Sequence, residues 1–207
     1  MLMAMVIHAY EIAGQGTDSR CIYLIRHAKP AVPELKSGTY EEIVTYYDLY
    51  DKVDVVPFDK NIILERISEP LPEFVFTSRL PRAVQTAEQT FGDRMKYENR
   101  KIFNEFGRTV LKFKRITMRK GAWSTLSRLT WAMGFSGDTE SFKEARYRAG
   151  VCAGVLSEVS GQQDVTILVG HGFMNHFIKK KLKKMGWKVE INDGKKNLGV
   201  IKMVKEK

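Results

Sequence analysis

Apolar positions along this chain come in two alternating patterns. Short continuous runs occupy residues 21–26, 74–77 and 165–169, the pattern of strands buried on both faces. Between them lie longer stretches in which apolar residues return at helical spacing. Thr39-x-x-Glu42 forms a capping box ahead of Ile43, Val44, Tyr47 and Tyr50, which predicts a helix there. Residues 61–68 read as a short helix ended by Pro70 and Pro72, and 80–90 as a helix with Pro81 in its first turn, where a missing N–H is harmless. Asp138 is expected to cap a helix with Phe142, Ala145, Ala149, Cys152, Leu156 and Val159 on one face. Residues 173–185 form another helix and 198–204 a last strand, with short extended pieces at 96–97 and 102–103 and a loop at 30–38. Strands alternating with helices predict an α/β fold, a three-layer α/β/α sandwich around a mostly parallel sheet.

Two segments escape this reading. Residues 1–20 are either an extra edge strand or a flexible start. Residues 107–137 are basic, aromatic-rich and broken by glycines, and are read as a lid insertion. No repeat, low-complexity tract or linker divides the chain, so residues 1–207 are taken as a single domain.

Composition narrows the class. No apolar run approaches the roughly 20 residues that span a bilayer, so no membrane partner is expected. The apolar start, Met1 to Ile7, lacks a basic n-region and is not read as a secretory signal. Cys21 and Cys152 have no CxxC partner, which points to reduced thiols in the cytoplasm rather than a disulfide framework or zinc site. The net charge of +10 gathers at Lys112, Lys114, Arg115, Arg119 and Lys120, and again at Lys179–Lys181, Lys183 and Lys184. Such charge suits an anionic small substrate or nucleic acid. Aromatics do not interleave with the second cluster as in a stacking platform, so nucleic acid is the weaker reading.

The chemistry lies at the strand ends. The first run closes on Arg26-His27 and the run at 165–169 on Gly170-His171-Gly172. In open α/β sheets, ligands bind outside the carboxyl ends of strands. The run at 74–77 leads into Ser78-Arg79-Leu80-Pro81-Arg82-Ala83-Val84-Gln85-Thr86-Ala87, which sets Arg82 in the first turn of a helix, where anions are favoured. Arginine forks match phosphoryl oxygens, and a neutral imidazole is a competent nucleophile. Glu105 follows a short apolar piece and offers a carboxyl as proton donor. Arg79 is a rival to Arg82, and Glu98, Asp138 and Glu140 are rivals to Glu105.

These three motifs, in this order, resemble the histidine phosphatase superfamily, the phosphoglycerate mutase-like fold. Leu24-Ile25-Arg26-His27-Ala28 is similar to its L-x-R-H-G strand end, Ser78 to Ala87 to its S-x-L-x-R-A-x-Q-T-A stretch, and Leu168 to Gly172 to its second-histidine motif. The resemblance implies a metal-independent, cofactor-free phosphomonoesterase of the histidine acid type. His27 would be the nucleophile, Arg26, Arg82 and His171 would hold the phosphoryl group, and Glu105 would be the general acid. Lys29, just after the first motif, is read by its position either as meeting an anionic substrate or as a surface lysine. The chain departs from the pattern at Ala28, where a glycine is usual and a positive φ would be strained. Lys29-Pro30-Ala31-Val32-Pro33 replaces the acidic residue and Trp-Asn pair of the mutases, which favours hydrolysis. The substrate class implied is a small phosphorylated metabolite. The alternatives are phosphorylated protein side chains, or a nucleic-acid-associated or non-catalytic member of the fold. An ordered lid at 107–137 would favour the small molecule.

Overall fold

The computed structural model describes residues 19–113 and 115–207. Its strands are β1 (Ser19–Arg26), β2 (Ser37–Gly38), β3 (Phe74–Thr77), β4 (Lys96–Asn99), β5 (Met118–Arg119), β6 (Val165–Gly170), β7 (Lys188–Asn192) and β8 (Val200–Glu206). Its α-helices are α1 (Tyr40–Lys52), α2 (Asn61–Leu64), α3 (Pro81–Phe91), α4 (Lys120–Ala132), α5 (Phe142–Gln163) and α6 (Gly172–Lys184). Six strands make the central sheet, in the order β4-β3-β6-β1-β8-β7. β4, β3, β6 and β1 are parallel, and β8 runs antiparallel to β1 and β7.

The layers follow from strand alternation. Ile22, Leu24, Phe76 and Leu168 point to one face, packed against Ala145, Ala149, Cys152 and Leu156 of α5 and Met174, Ile178 and Leu182 of α6. Tyr23, Ile25, Val75, Ile167 and Val169 point to the other, against Ile63 of α2 and Ala83 and Ala87 of α3. A period of two serves both faces because both are covered. The three-layer α/β/α expectation therefore holds, with β1 and β6 central and their carboxyl ends at one rim.

Local chemistry sets the helix ends. The Thr39–Glu42 capping box is present, with the Thr39 N–H donating to Glu42 Oε2 at 2.7 Å and the Glu42 N–H to Thr39 Oγ1 at 3.4 Å. Asp138 does not cap α5. Ser141 does, its N–H donating to Glu144 Oε2 at 2.8 Å and its hydroxyl accepting from the Glu144 N–H at 3.2 Å. Reciprocal capping satisfies two orphan donors, whereas Asp138 lies in the turn before.

Other differences have equally local causes. Residues 102–103 are not extended but lie in a 3-10 turn, Lys101–Phe103, and the helix foreseen at 61–68 contracts to α2. β7 was not foreseen. The last strand starts at Val200 because Leu198, with φ 61°, and Gly199 form a tight turn ahead of it. A Cβ on Gly199 would stand 2.0 Å from the Asp193 carbonyl oxygen, so only glycine fits that backbone approach. Within 107–137, β5 pairs with β2 and α4 follows it. Trp123 and Trp131 are buried core plugs; Trp123 donates its indole N–H to the Gly38 carbonyl at 2.9 Å. Among the described residues no helix is long and apolar enough to cross a membrane. The edge strand or flexible start foreseen at 1–20 lies, up to residue 18, outside the described residues.

Candidate active site

Register brings the two histidines together. β1 and β6 pair in parallel with Arg26 opposite Gly170, so the next residue of each strand is a histidine, and the two rings stand 5.1 Å apart. His27 is 3 % exposed and His171 fully buried. His27 Nδ1 is 2.7 Å from the Ala28 carbonyl oxygen, which can only accept. That contact places the ring proton on Nδ1 and makes Nε2 the acceptor nitrogen that carries the lone pair. Arg82 donates its Nε–H to that Nε2 at 3.2 Å. Burial, reinforced by the Arg82 charge, holds the His27 imidazole down to about 3, so it is neutral and nucleophilic. Burial also pushes His171 well below its ordinary value, with Arg82 adding to it.

The motif after β3 has a physical reading at each position. The Ser78 hydroxyl pairs with His171 Nε2 at 2.7 Å. Arg82 enters from the first turn of α3, and Ala83 and Ala87 lie flat against the sheet. Gln85 Oε1 accepts the Val55 N–H at 2.9 Å. Thr86 Oγ1 accepts the Ala28 N–H at 2.8 Å and donates to the Arg82 carbonyl at 2.6 Å, tying the end of the His27 strand to the helix that carries Arg82. Ala28 is not among the residues with positive φ, so the strain expected of a non-glycine there does not arise. The Asn197 side chain donates to the His27 carbonyl at 2.9 Å, which pins the same strand end from the turn before β8.

Arg26 Nε, Arg82 Nη2 and His171 Nδ1 are buried nitrogens without a hydrogen-bond partner. Each such atom carries a desolvation cost of about 1–3 kcal/mol. Three of them around one imidazole form a cradle suited to an oxyanion. Gly172 belongs to that cradle, since a Cβ there would stand 3.1 Å from Arg26 Cδ. Asp51 reaches in from the end of α1, its Oδ1 accepting from Arg82 Nη1 at 2.8 Å and from Arg108 Nη1 at 3.4 Å. The Tyr50 ring lies under the Arg82 guanidinium, 4.9 Å from its centroid, and 6.2 Å from the His27 ring.

Glu105 sits where α6 begins. Its Oε1 accepts the N–H groups of Phe106 at 3.0 Å and Met174 at 3.1 Å, and its Oε2 that of Phe173 at 3.4 Å. Glu105, Arg26, Arg108, Ser124, Arg128 and Lys195 share a cavity of about 450 Å³, a volume typical of small-molecule sites. None of the rivals of Glu105 lines that cavity: Glu98 pairs with Arg100, Glu140 pairs with Arg148 and borders a second cavity on the other side of Glu105, and Asp138 lies in an exposed turn. Arg79 turns away to the Asn99 carbonyl at 3.3 Å. Lys29 borders a neighbouring cavity with Tyr46, Tyr50 and Lys120 rather than that of Arg26. His176 is half-buried on the wall of the Arg26 cavity. Among the described residues no group of three His, Cys, Asp or Glu is placed to hold a metal ion.

The structure thus brings His27, Arg26, Arg82, His171 and Glu105 to one place. Sequence reasoning missed Ser78, Asp51, Arg108, Arg128, Lys195 and Asn197. Ser78 stood inside a recognised motif, and Ser124 and Arg128 share a face at helical i, i+4 spacing. Asp51, Arg108, Lys195 and Asn197 carry no local signal.

The family model of the histidine phosphatase superfamily (branch 1) matches residues 62–199, a span that takes in Arg82, Glu105 and His171. No curated protein matches the chain by sequence. Among solved structures, the chain is similar to phosphoglycerate mutase from Bacillus anthracis, with a TM-score of 0.59, 14% identity and coverage of 91% of this chain and 88% of that one. It is similar to the ecdysone phosphate phosphatase of Bombix mori, determined with tungstate, with a TM-score of 0.52, 11% identity and coverage of 88% of each. It is also similar to a phosphoserine phosphatase mutant from Entamoeba histolytica, with a TM-score of 0.51, 14% identity and coverage of 88% and 89%. At these identities the likeness is one of fold.

Proposed function

The chain belongs to the histidine phosphatase superfamily, and from that premise we propose that it is a metal-independent phosphomonoesterase of the histidine acid type, acting on a small phosphorylated metabolite in the cytoplasm. The observation that carries this reading is the neutral His27 Nε2 surrounded by the unpartnered nitrogens of Arg26, Arg82 and His171.

In the proposed reaction the phosphoryl oxygens take up Arg26 Nε–H and Arg82 Nη2–H, with His171 alongside. His27 Nε2 attacks phosphorus. The N–P bond forms as the ester P–O bond breaks, and the leaving oxygen takes a proton from the Glu105 carboxyl. The Glu105 carboxylate then takes a proton from water, whose oxygen bonds phosphorus as the N–P bond breaks. Inorganic phosphate leaves and His27 returns to its starting state. Fixed donors around developing charge supply the main stabilisation.

Attack requires that His27 Nε2 exchange the Arg82 Nε–H for phosphorus, while Asp51 keeps its hold on Arg82 Nη1 and Nη2 is open to the phosphoryl oxygen. The cavity of about 450 Å³, lined on one side by Ser124 and Arg128 of α4, supports a small molecule over a protein side chain by its volume. The buried free thiols of Cys21 and Cys152 support the cytoplasmic placement. The test is hydrolysis of an aryl phosphate in EDTA by the wild type and His27→Ala side by side. Chelator-resistant turnover that falls to background in the variant, with an unchanged thermal transition, is the expected result. Near wild-type turnover in His27→Ala overturns the assignment.

A further inference from the structure

The cavity holds more positive charge than one phosphoryl group uses. In the reading above, that group engages Arg26, Arg82 and His171. Of these Arg26 borders the cavity, and Arg108, Arg128 and Lys195 line it as well, with Glu105 as its carboxylate. Asp51 faces Arg108 at 3.4 Å. Among the described ion pairs neither Arg128 nor Lys195 has a carboxylate partner.

Arg128 is built to hold still. It donates Nη1–H to the Gly107 carbonyl at 2.9 Å and Nη2–H to the Phe106 carbonyl at 3.5 Å. Its guanidinium lies over the Phe173 ring at 4.7 Å and the Trp131 ring at 5.5 Å. Two of its five N–H groups are thereby used, and three remain for a ligand. Burial disfavours its charged form and Glu105 offsets part of that cost; a ligand anion beside it would offset more. Ser124 lies one helical turn before it on α4. Lys195 is exposed on the turn whose backbone carbonyl accepts from Arg26.

We propose that the substrate carries a second anionic group, a carboxylate or phosphate, received by Arg128 with Ser124 and Lys195 while the scissile phosphoryl sits at His27. The inference rests on the phosphatase reading and names its substrate class. A fixed guanidinium costs little ordering entropy on binding, and a charge-assisted hydrogen bond to an anion is strong enough to select for one.

The test is calorimetric binding of non-hydrolysable probes to the full chain. A series of ω-carboxyalkylphosphonates is compared with alkylphosphonates of the same length, and alkane bisphosphonates form a third arm that tells phosphate from carboxylate. The expected result is that at least one doubly charged series binds about tenfold tighter than its singly charged match. Arg128→Gln and Lys195→Gln should each bring that ratio towards one, and Lys183→Gln, on the exposed side of α6, should leave it unchanged. Lys195 is exposed, so its variant keeps the test decisive if Arg128→Gln misfolds. A wild-type ratio of one for every doubly charged probe overturns the inference. So does a ratio that survives both variants, or one that falls as far with Lys183→Gln, which would assign it to the overall charge. If the alkylphosphonates bind and only the ratio fails, the phosphatase reading stands. If no phosphonate binds and aryl phosphate is not hydrolysed, both fall.

Discussion

The floor of the site and the wall of the cavity beside it are made in different ways. The floor, Arg26, His27, Ser78, Arg82 and His171, hangs from the ends of β1, β3 and β6 and is positioned by sheet register and short hydrogen bonds among buried groups. The wall, Arg108, Ser124 and Arg128, belongs to a segment held by a pair of two-residue strands, a buried indole and guanidinium groups stacked on rings. Register tolerates no slip, because a one-residue shift turns each side chain to the opposite face. A wall of stacked side chains tolerates exchange. A fold built this way keeps its chemistry while its substrate selection changes, which fits the division of roles proposed for the two regions.

Substitutions can pull the two regions apart. Trp123→Ala removes the plug that ties α4 to the Gly38 carbonyl. It should lower unfolding free energy by about 3–5 kcal/mol, read by denaturant titration, and raise KM more than it lowers kcat. A fall confined to kcat would show the wall to be part of the chemistry. Arg82→Ala, on the floor, should do the reverse. Loss of one preorganised donor lowers kcat/KM about 10²–10³-fold, or about 2.7–4 kcal/mol, and a loss under tenfold would remove Arg82 from the proposed role.

Acid should act on the floor next. Both histidines bind protons more weakly in the fold than in the unfolded chain, where 6.5 is the ordinary value, and His27 is held at about 3. The unfolded chain therefore takes up more protons as pH falls. Stability should be full above pH 6.5 and be lost towards pH 3, by about 1.4 kcal/mol per pH unit for each histidine. Thermal melts between pH 7 and 5 read this directly, and His27→Gln should make the dependence shallower. A melt that is flat over that range would mean that neither histidine is buried neutral. The smallest effect is expected of Ser78→Ala, which leaves His171 Nε2 unpaired. A loss of about 1–3 kcal/mol is expected, and none at all would mean that His171 finds another partner.

Much of the frame was legible because its causes are local. A capping box is read within four residues, and the Thr39–Glu42 box is present as expected. The same logic points to Ser141-x-x-Glu144, whereas Asp138 is a lone capping residue with no Glu or Gln three positions on to answer it. β7 was missed although Val189 and Ile191 alternate with charged neighbours, because a half-exposed edge strand carries a weaker signal than a buried run. The shortening of the helix at 61–68 and the 3-10 turn at 101–103 were not legible, since short elements are settled by what packs on them.

By itself the sequence determined the strand ends and what they carry: Arg26-His27, Ser78 to Arg82, and Gly170-His171-Gly172 are contiguous, and a strand followed by a turn presents its next residues at the sheet rim wherever the sheet forms. Only the tertiary structure decided what faces them. Asp51 meets Arg82 across 31 positions of sequence and Asn197 meets His27 across 170. Glu105 reaches the start of α6 from 69 residues away, and Arg128 shares a cavity with Lys195 because α4 folds over the same rim. Such meetings are set by crossovers and packing between elements, and no periodicity within one element encodes them.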